Sequence, residues 1–180
     1  MRRIIGNSLV SADGVVPDDP VGMGFADFYD DTYLRERLAL FTMCDAMLWG
    51  RTTYEVFSKM WSGTEKTHPY AARLIAIRKY VFSSTLEAAD WSNSTIVRGD
   101  VVAEVSRLKR QEGGDLLVLG HGLFAETLLK HRLLDTIHLD IHPVLVGPGR
   151  PFFREGQTAT LRLTAVRVFS KVVRLSYEPQ

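Results

Sequence analysis

Cysteine occurs once in the 180-residue sequence, so no intrachain disulfide can staple the fold. That residue, Cys44, sits in the apolar run Leu40-Phe41-Thr42-Met43-Cys44, which marks it as a packed core thiol rather than a nucleophile. A surplus of either charge is also missing. The 22 basic and 21 acidic residues leave no global positive field to draw in nucleic acid or an anionic membrane surface, and no basic stripe or RNA-binding motif appears. No apolar run approaches the roughly 20 residues that span a bilayer. The start, Met1-Arg2-Arg3-Ile4-Ile5-Gly6-Asn7, turns polar too soon for a signal peptide, so the expected location is the cytoplasm. Absent too are a Walker G-x-x-x-x-G-K-[ST] sequence, an internal repeat, a low-complexity tract and an interdomain linker. With 46% apolar and 24% charged residues, the chain has the composition of one globular domain over residues 1–180.

Hydrophobic spacing divides this chain into alternating strands and helices. Ile4 to Val10 reads as a strand that enters the turn Ser11-Ala12-Asp13-Gly14, followed by a loop with Pro17, Pro20, Gly22 and Gly24. Phe25, Phe28, Leu34, Leu38 and Phe41 recur near helical spacing and predict one long amphipathic helix to Met43. Ala46 to Trp49 is a strand, and Thr52 with Glu55 has capping-box spacing for the helix that follows. After a loop around Ser62-Gly63, a helix is expected from Ala71 to Ala76, strands at Lys79–Ser83 and Thr95–Val97, and a helix from Val101 to Arg110 closed by Gly113-Gly114. Asp115 to Leu119 is a continuous apolar run of the kind buried on both faces of a sheet, and a helix from about Leu123 to Lys130 follows it. Thr136 to Pro143 alternates as a strand. Thr160–Val168 and Lys171–Tyr177 form a closing antiparallel hairpin. The expected fold is α/β, with a mixed, mostly parallel central sheet, flanking helices and a C-terminal hairpin.

Two junctions pair a strand end with a glycine turn and a helix start, which aims unpaired backbone N–H groups and a positive dipole end at one point. At Gly50-Arg51-Thr52-Thr53, a guanidinium and hydroxyls join the turn; at Gly120-His121-Gly122, missing Cβ atoms let backbone approach a pyrophosphate. Each alone reads more often as only a tight βα turn. Together with the polar turn Ser83-Ser84-Thr85, they predict a dinucleotide lying across several strand ends.

These pieces occur in an order that resembles the dihydrofolate reductase-like superfamily, and within it the reductase domain of the riboflavin-biosynthesis deaminase-reductases. The resemblance rests on Ser11-Ala12-Asp13-Gly14, Gly50-Arg51-Thr52-Thr53-Tyr54-Glu55, Lys79-Tyr80-Val81-Phe82-Ser83-Ser84-Thr85-Leu86, Leu119-Gly120-His121-Gly122-Leu123-Phe124, and Pro143 to Gly149 with Phe152-Phe153. It implies an NADPH-dependent reductase acting on a small pteridine- or pyrimidine-like heterocycle. Gly50, Arg51, Thr52 and Thr53 are then expected at the cofactor phosphates, with Ser83 and Ser84 near the 2′-phosphate. Gly120, His121, Gly122, Leu123 and Phe124 are expected under the pyrophosphate and nicotinamide-ribose half. Asp13 to Gly24 corresponds to the family's mobile active-site loop, and a homodimer is a family-level expectation. A non-catalytic nucleotide-binding module of the same fold is the competing reading.

Hydride transfer also needs a proton source, usually a carboxylate whose pKa an apolar cleft raises. Asp30 and Asp31 on the first helix are candidates, Asp31 preferred, with Asp13 after them; helix-dipole and turn chemistry account for the same residues. Tyr54, Phe57 and Trp61 either line a pocket for a flat ring or belong to the core. His138, Asp140 and His142 alternate on one strand face, a pattern read as solvated or subunit-facing polar surface rather than a metal site.

Overall fold

The structure is a computed structural model that describes residues 1–18, 24–61, 69–152 and 158–180. Phe153, Pro20, Gly22 and the loop at Ser62-Gly63 lie outside the described residues. The strands β1 (Ile4–Ser11), β3 (Cys44–Gly50), β4 (Arg78–Phe82), β5 (Ser94–Val97), β6 (Asp115–Leu119), β7 (Thr136–His142), β9 (Leu161–Phe169) and β10 (Val172–Pro179) form an eight-stranded sheet in the order β5-β4-β3-β6-β1-β7-β10-β9. From β5 to β7 all pairs are parallel, and β10 pairs antiparallel with both β7 and β9. Two-residue strands β2 (Val15–Val16) and β8 (Arg150–Pro151) make a separate antiparallel pair. The expected mixed, mostly parallel sheet with a C-terminal hairpin is therefore present. No helix among the described residues is long and apolar enough to cross a membrane.

The helices α1 (Asp31–Met43), α2 (Arg51–Trp61), α3 (Pro69–Ala76), α4 (Val101–Arg110) and α5 (Leu123–Lys130) divide between the two sheet faces. On one, Val105 and Leu108 of α4 and Ala125 and Leu128 of α5 pack on Ile4, Ala46, Leu48, Leu116 and Val118. On the other, Leu40 and Phe41 of α1, Tyr54 of α2 and Leu74 of α3 pack on Ile5, Met47, Trp49, Leu117 and Leu119. Consecutive residues of β6 thus serve opposite cores, which is why that strand is apolar at nearly every position. Cys44 is buried at the start of β3, and burial pushes its thiol up to about 12, as a core role requires.

Three local expectations change. The long helix from Phe25 is broken: a 3₁₀ turn spans Phe25–Phe28, and Asp30, in extended conformation, caps α1 by accepting a bond from the Tyr33 N–H at 2.9 Å. The buried stripe of α1 is Tyr33, Arg37, Leu40 and Phe41, rotated from the stripe that Leu34 and Leu38 would have made. The capping box at Thr52 is not formed, because α2 starts directly at Arg51 and places Thr52 inside its first turn. Finally, α4 ends at Arg110 with Gln111 as its C-cap, ahead of the glycine pair.

Candidate functional site

Parallel pairing brings the ends of β1, β3, β4 and β6 to one edge of the sheet, with Gly50 beside Phe82 and Leu119 beside Asn7. There the two glycine junctions touch. A Cβ built on Gly50 would lie 3.2 Å from the Cβ of Phe124, so a side chain at Gly50 would need the start of α5 to give by a few tenths of an ångström. Gly120 has a φ of 77°, a left-handed conformation that favours glycine, and its missing Cβ faces the Thr53 hydroxyl at 3.9 Å. The starts of α2 and α5, each a source of positive potential, thereby lie side by side at this edge of the sheet.

Cations flank it. Arg51, half-exposed, donates from Nε to Glu55 Oε1 at 2.7 Å and from Nη1 to Thr85 Oγ1 at 2.9 Å, tying α2 to the turn after β4. Arg150 donates to the backbone carbonyl of His121, pairs with Asp18 at 3.4 Å, and lies 3.3 Å from where a Gly122 Cβ would stand. A guanidinium at the start of a helix adds to the positive end of the dipole instead of opposing it, an arrangement complementary to an anion. The turn after β4 is held from within: Ser83 Oγ accepts from the Thr85 and Leu86 N–H groups at 3.2 and 2.9 Å, and Arg98 donates to the carbonyls of Ser83, Ser84 and Leu86. The Ser83 hydroxyl is thus engaged in its own turn, whereas Ser84 is exposed.

The turn at Gly120 presents backbone, not the His121 ring. That ring packs on Phe152 with centroids 4.0 Å apart and its Nε2 lies 3.8 Å from Glu126. Phe124 packs on Phe82, while Leu123 projects into the open with 72% of its surface exposed.

Two of the sequence-predicted carboxylates, Asp13 and Asp30, are engaged in local bonds that favour the anion. Asp13 accepts from Ser11 Oγ at 2.5 Å, from Gly147 N–H at 2.7 Å and from Val146 N–H at 3.2 Å, and these bonds, Ser11 first, hold its carboxyl down to about 2. It clasps the turn after β1 to the loop after β7. Asp30 is the α1 cap, and the Tyr33 N–H followed by the Ser170 hydroxyl keeps its carboxyl below the usual range. Asp31 is exposed on the first turn of α1. Tyr54, Phe57 and Trp61 lie in the core: the Tyr54 hydroxyl accepts from the Trp91 N–H at 3.1 Å, Phe57 packs on Trp49, and Trp61 on Tyr70.

The polar face of β7 is not solvent-facing, as expected from its alternation, but buried under α1. Asp140 is fully enclosed and takes two bonds from Arg174, at 2.6 and 2.9 Å, one from the Tyr33 hydroxyl at 2.8 Å and one from Asn7 at 3.2 Å. Arg37 lies 3.6 Å away and donates to Tyr70 at 2.9 Å. Burial pushes the Asp140 carboxyl up, but the Arg174 bonds and the Arg37 charge prevail and hold it below the ordinary range. Among the described residues no three His, Cys, Asp or Glu side chains are grouped to hold a metal. Sequence reading also missed Arg150 and Arg98. Arg150 follows the Gly147-Pro148-Gly149 loop directly, and only the fold carries that loop to α5.

Residues 2–175 match the family model described as the RibD C-terminal domain. The uncharacterized Bacillus subtilis protein YyaP is 29% identical over 191 residues, covering 98% of this chain and 94% of the relative. A putative riboflavin biosynthesis protein from Shewanella sp. PV-4 superposes with a TM-score of 0.73 at 20% identity, over 99% of both chains. The Thermotoga maritima diaminohydroxyphosphoribosylaminopyrimidine deaminase/5-amino-6-(5-phosphoribosylamino)uracil reductase gives 0.69 at 14% identity, with 99% of this chain covering 57% of that one. At these identities the structural matches establish the shared fold.

Proposed function

The chain belongs to the RibD C-terminal domain family, a reductase-like family, and from that premise we propose that it is an NADPH-dependent reductase of a small pyrimidine- or pteridine-like heterocycle. The observation that carries this reading is the contact between the two glycine junctions, which turns two separate βα turns into one crevice flanked by Arg51 and Arg150. Its donors are backbone N–H groups and guanidinium forks, the set that suits a pyrophosphate, and the His121 ring is turned onto Phe152. When bound, the nicotinamide supplies the hydride. The protein's part is to bind and to orient. Gly50 lets the helix starts approach, Arg51, Thr52 and Thr53 hold one end of the phosphates, and Gly120, Gly122 and Arg150 hold the other. Ser84 and Thr85 lie beside Arg51 where a 2′-phosphate would distinguish NADPH from NADH, and exposed Leu123 offers an apolar surface to a flat ring. The engaged carboxylates of Asp13 and Asp30 leave the proton to water or to Asp31.

Calorimetric titration with NADPH and NADH, beside Arg51→Ala, tests the reading. Binding of NADPH that weakens about tenfold or more in the variant is expected from the loss of charge-assisted bonds; failure of the wild-type chain to bind either nucleotide would refute it. The uncommitted proton donor favours, as a second reading, a nucleotide-binding module without turnover. Steady NADPH oxidation in the presence of any member of a pyrimidine and pteridine panel would reject that reading.

A further inference from the structure

The pair Gly113-Gly114 does not close α4, and its use lies at the end of the sheet opposite the Gly50 and Gly120 turns, where β3 and β4 begin. Gly113 has a φ of 139°, and a Cβ there would fall 2.5 Å from Asp45 Oδ2 and 3.4 Å from Arg2 Cζ. Gly114 holds both of those side chains. Its N–H donates to Asp45 Oδ2 at 2.9 Å, and its carbonyl accepts from Arg2 Nε at 2.6 Å. Arg2 is buried and pairs with Asp45. Together with Arg73, Arg78, Tyr80 and Glu112, this fixed pair lines a cleft of about 390 Å³.

The charge left over in this cleft is positive. Asp45 neutralises Arg2, but among the described residues Arg73 and Arg78 pair with no carboxylate. Arg73 donates to the carbonyls of Phe41 and Cys44, at 3.0 and 2.7 Å from Nη2, and Arg78 donates to the Tyr80 hydroxyl at 3.3 Å. Burial first, and the Arg78 charge with it, push the Arg2 guanidinium below its ordinary value, so like charges face one another here. Against them the lining sets one further carboxylate, Glu112. The carbonyls at the end of α3, which would repel an anion, are already covered. Lys79 Nζ donates to those of Ile75 and Ile77 at 3.0 and 2.9 Å, and Asn93 to those of Ile75 and Ala76 at 3.1 and 3.2 Å. Guanidinium forks suit tetrahedral oxyanions. Two of them without a carboxylate match the roughly 1.5–2 negative charges of a phosphomonoester near pH 7 better than the single charge of a carboxylate. The volume lies low in the range of roughly 300–1,000 Å³ for small-molecule sites, which calls for a compact body behind the anion. We propose that this cleft binds a small phosphomonoester. It is a second site, because β3 and β4 each rise about 13 Å, from Ala46 to Gly50 and from Arg78 to Phe82, before they reach the glycine turns. The proposal does not depend on the reductase reading.

Calorimetric titration of the full chain with glycerol 3-phosphate at constant ionic strength is the test, run beside acetate and beside two variants. Arg78→Gln removes an exposed guanidinium of the cleft, and Arg51→Ala removes the cation at the other end of the sheet. One glycerol 3-phosphate per chain is expected, with an affinity within twofold of wild type in Arg51→Ala and at least tenfold weaker in Arg78→Gln, from the loss of charge-assisted bonds. If Arg78→Gln does not fold, the wild-type chain still answers: on addition of glycerol 3-phosphate, the backbone amide resonances of residues 45, 46 and 111–114 are expected to shift, and those of 50–53 and 120–123 to stay. No saturable binding at millimolar concentration, binding lost in Arg51→Ala and kept in Arg78→Gln, the opposite pattern of shifts, or acetate binding as tightly would each overturn the proposal.

Discussion

Asp13 and Asp30 show how a carboxylate's neighbours decide what it can do. A general acid must hold a proton at the working pH. Both of these side chains accept bonds that favour the anion, and Asp13 is held at about 2. Each instead does what its local sequence suggests first, Asp-Gly at a turn and Asp at a helix start. Asp31 is the remaining candidate, but it is exposed. A positioned general acid is worth roughly 10²–10⁴ in rate, and we predict that Asp31→Asn retains turnover within about threefold of wild type, the outcome that follows with water as donor. The kcat of the variant, measured with whichever heterocycle supports NADPH oxidation, checks this; a hundredfold loss would assign the proton to Asp31.

At the scale of elements, β7 carries the clearest divergence between pattern and placement. Its alternation is visible in the sequence, and it correctly puts His138, Asp140 and His142 on one face. What alternation cannot reveal is that α1 covers that face, or that Arg174, 34 residues away, supplies the partner that makes a buried carboxylate tolerable. The same blindness misplaced the start of α1, since Asp30 becomes a cap only when the chain turns at Tyr29 to lay Tyr33 and Arg37 over Asp140. The consequence is measurable at His142. Its ring is fully buried beside Phe25, Tyr29 and Tyr33, its Nδ1–H donates to the Asp140 carbonyl at 2.9 Å, and burial pushes its pKa down from 6.5 to about 4. His138 is lowered to about 4 as well, first by burial. Between pH 6.5 and pH 4 the unfolded chain takes up a proton that the folded chain refuses, so stability falls as pH falls through that window and is flat above it. The loss is on the order of 3 kcal/mol for His142. Urea midpoints at pH 7 and pH 4.5 are expected to differ accordingly, with a shallower dependence in His142→Phe.

Across the whole molecule, strand order decides which of the legible motifs become a site. The glycine turns at Gly50 and Gly120 are 70 residues apart in sequence, and each could be ordinary punctuation. They meet because β3 and β6 are neighbours in the sheet and run the same way. Arg150 depends on a still longer connection. It follows β7 through an irregular loop, pairs through β8 with Val16 of β2, and returns to the far side of the Gly120 turn, where its guanidinium meets the His121 carbonyl and Asp18. No local pattern marks it, because its neighbours come from three separated segments. If Arg150 completes the phosphate crevice, Arg150→Met, which keeps most of the side-chain volume while removing the charge, is expected to weaken NADPH binding about tenfold or more, by the same charge-assisted bonds as Arg51. Its effect should also shrink as salt rises, because part of the attraction is screened. If Arg150 only ties β2 to the Gly120 turn, the variant will lower thermal stability and leave the affinity of the folded protein unchanged. Calorimetry at two ionic strengths, beside a thermal melt, separates a ligand-binding cation from a structural one.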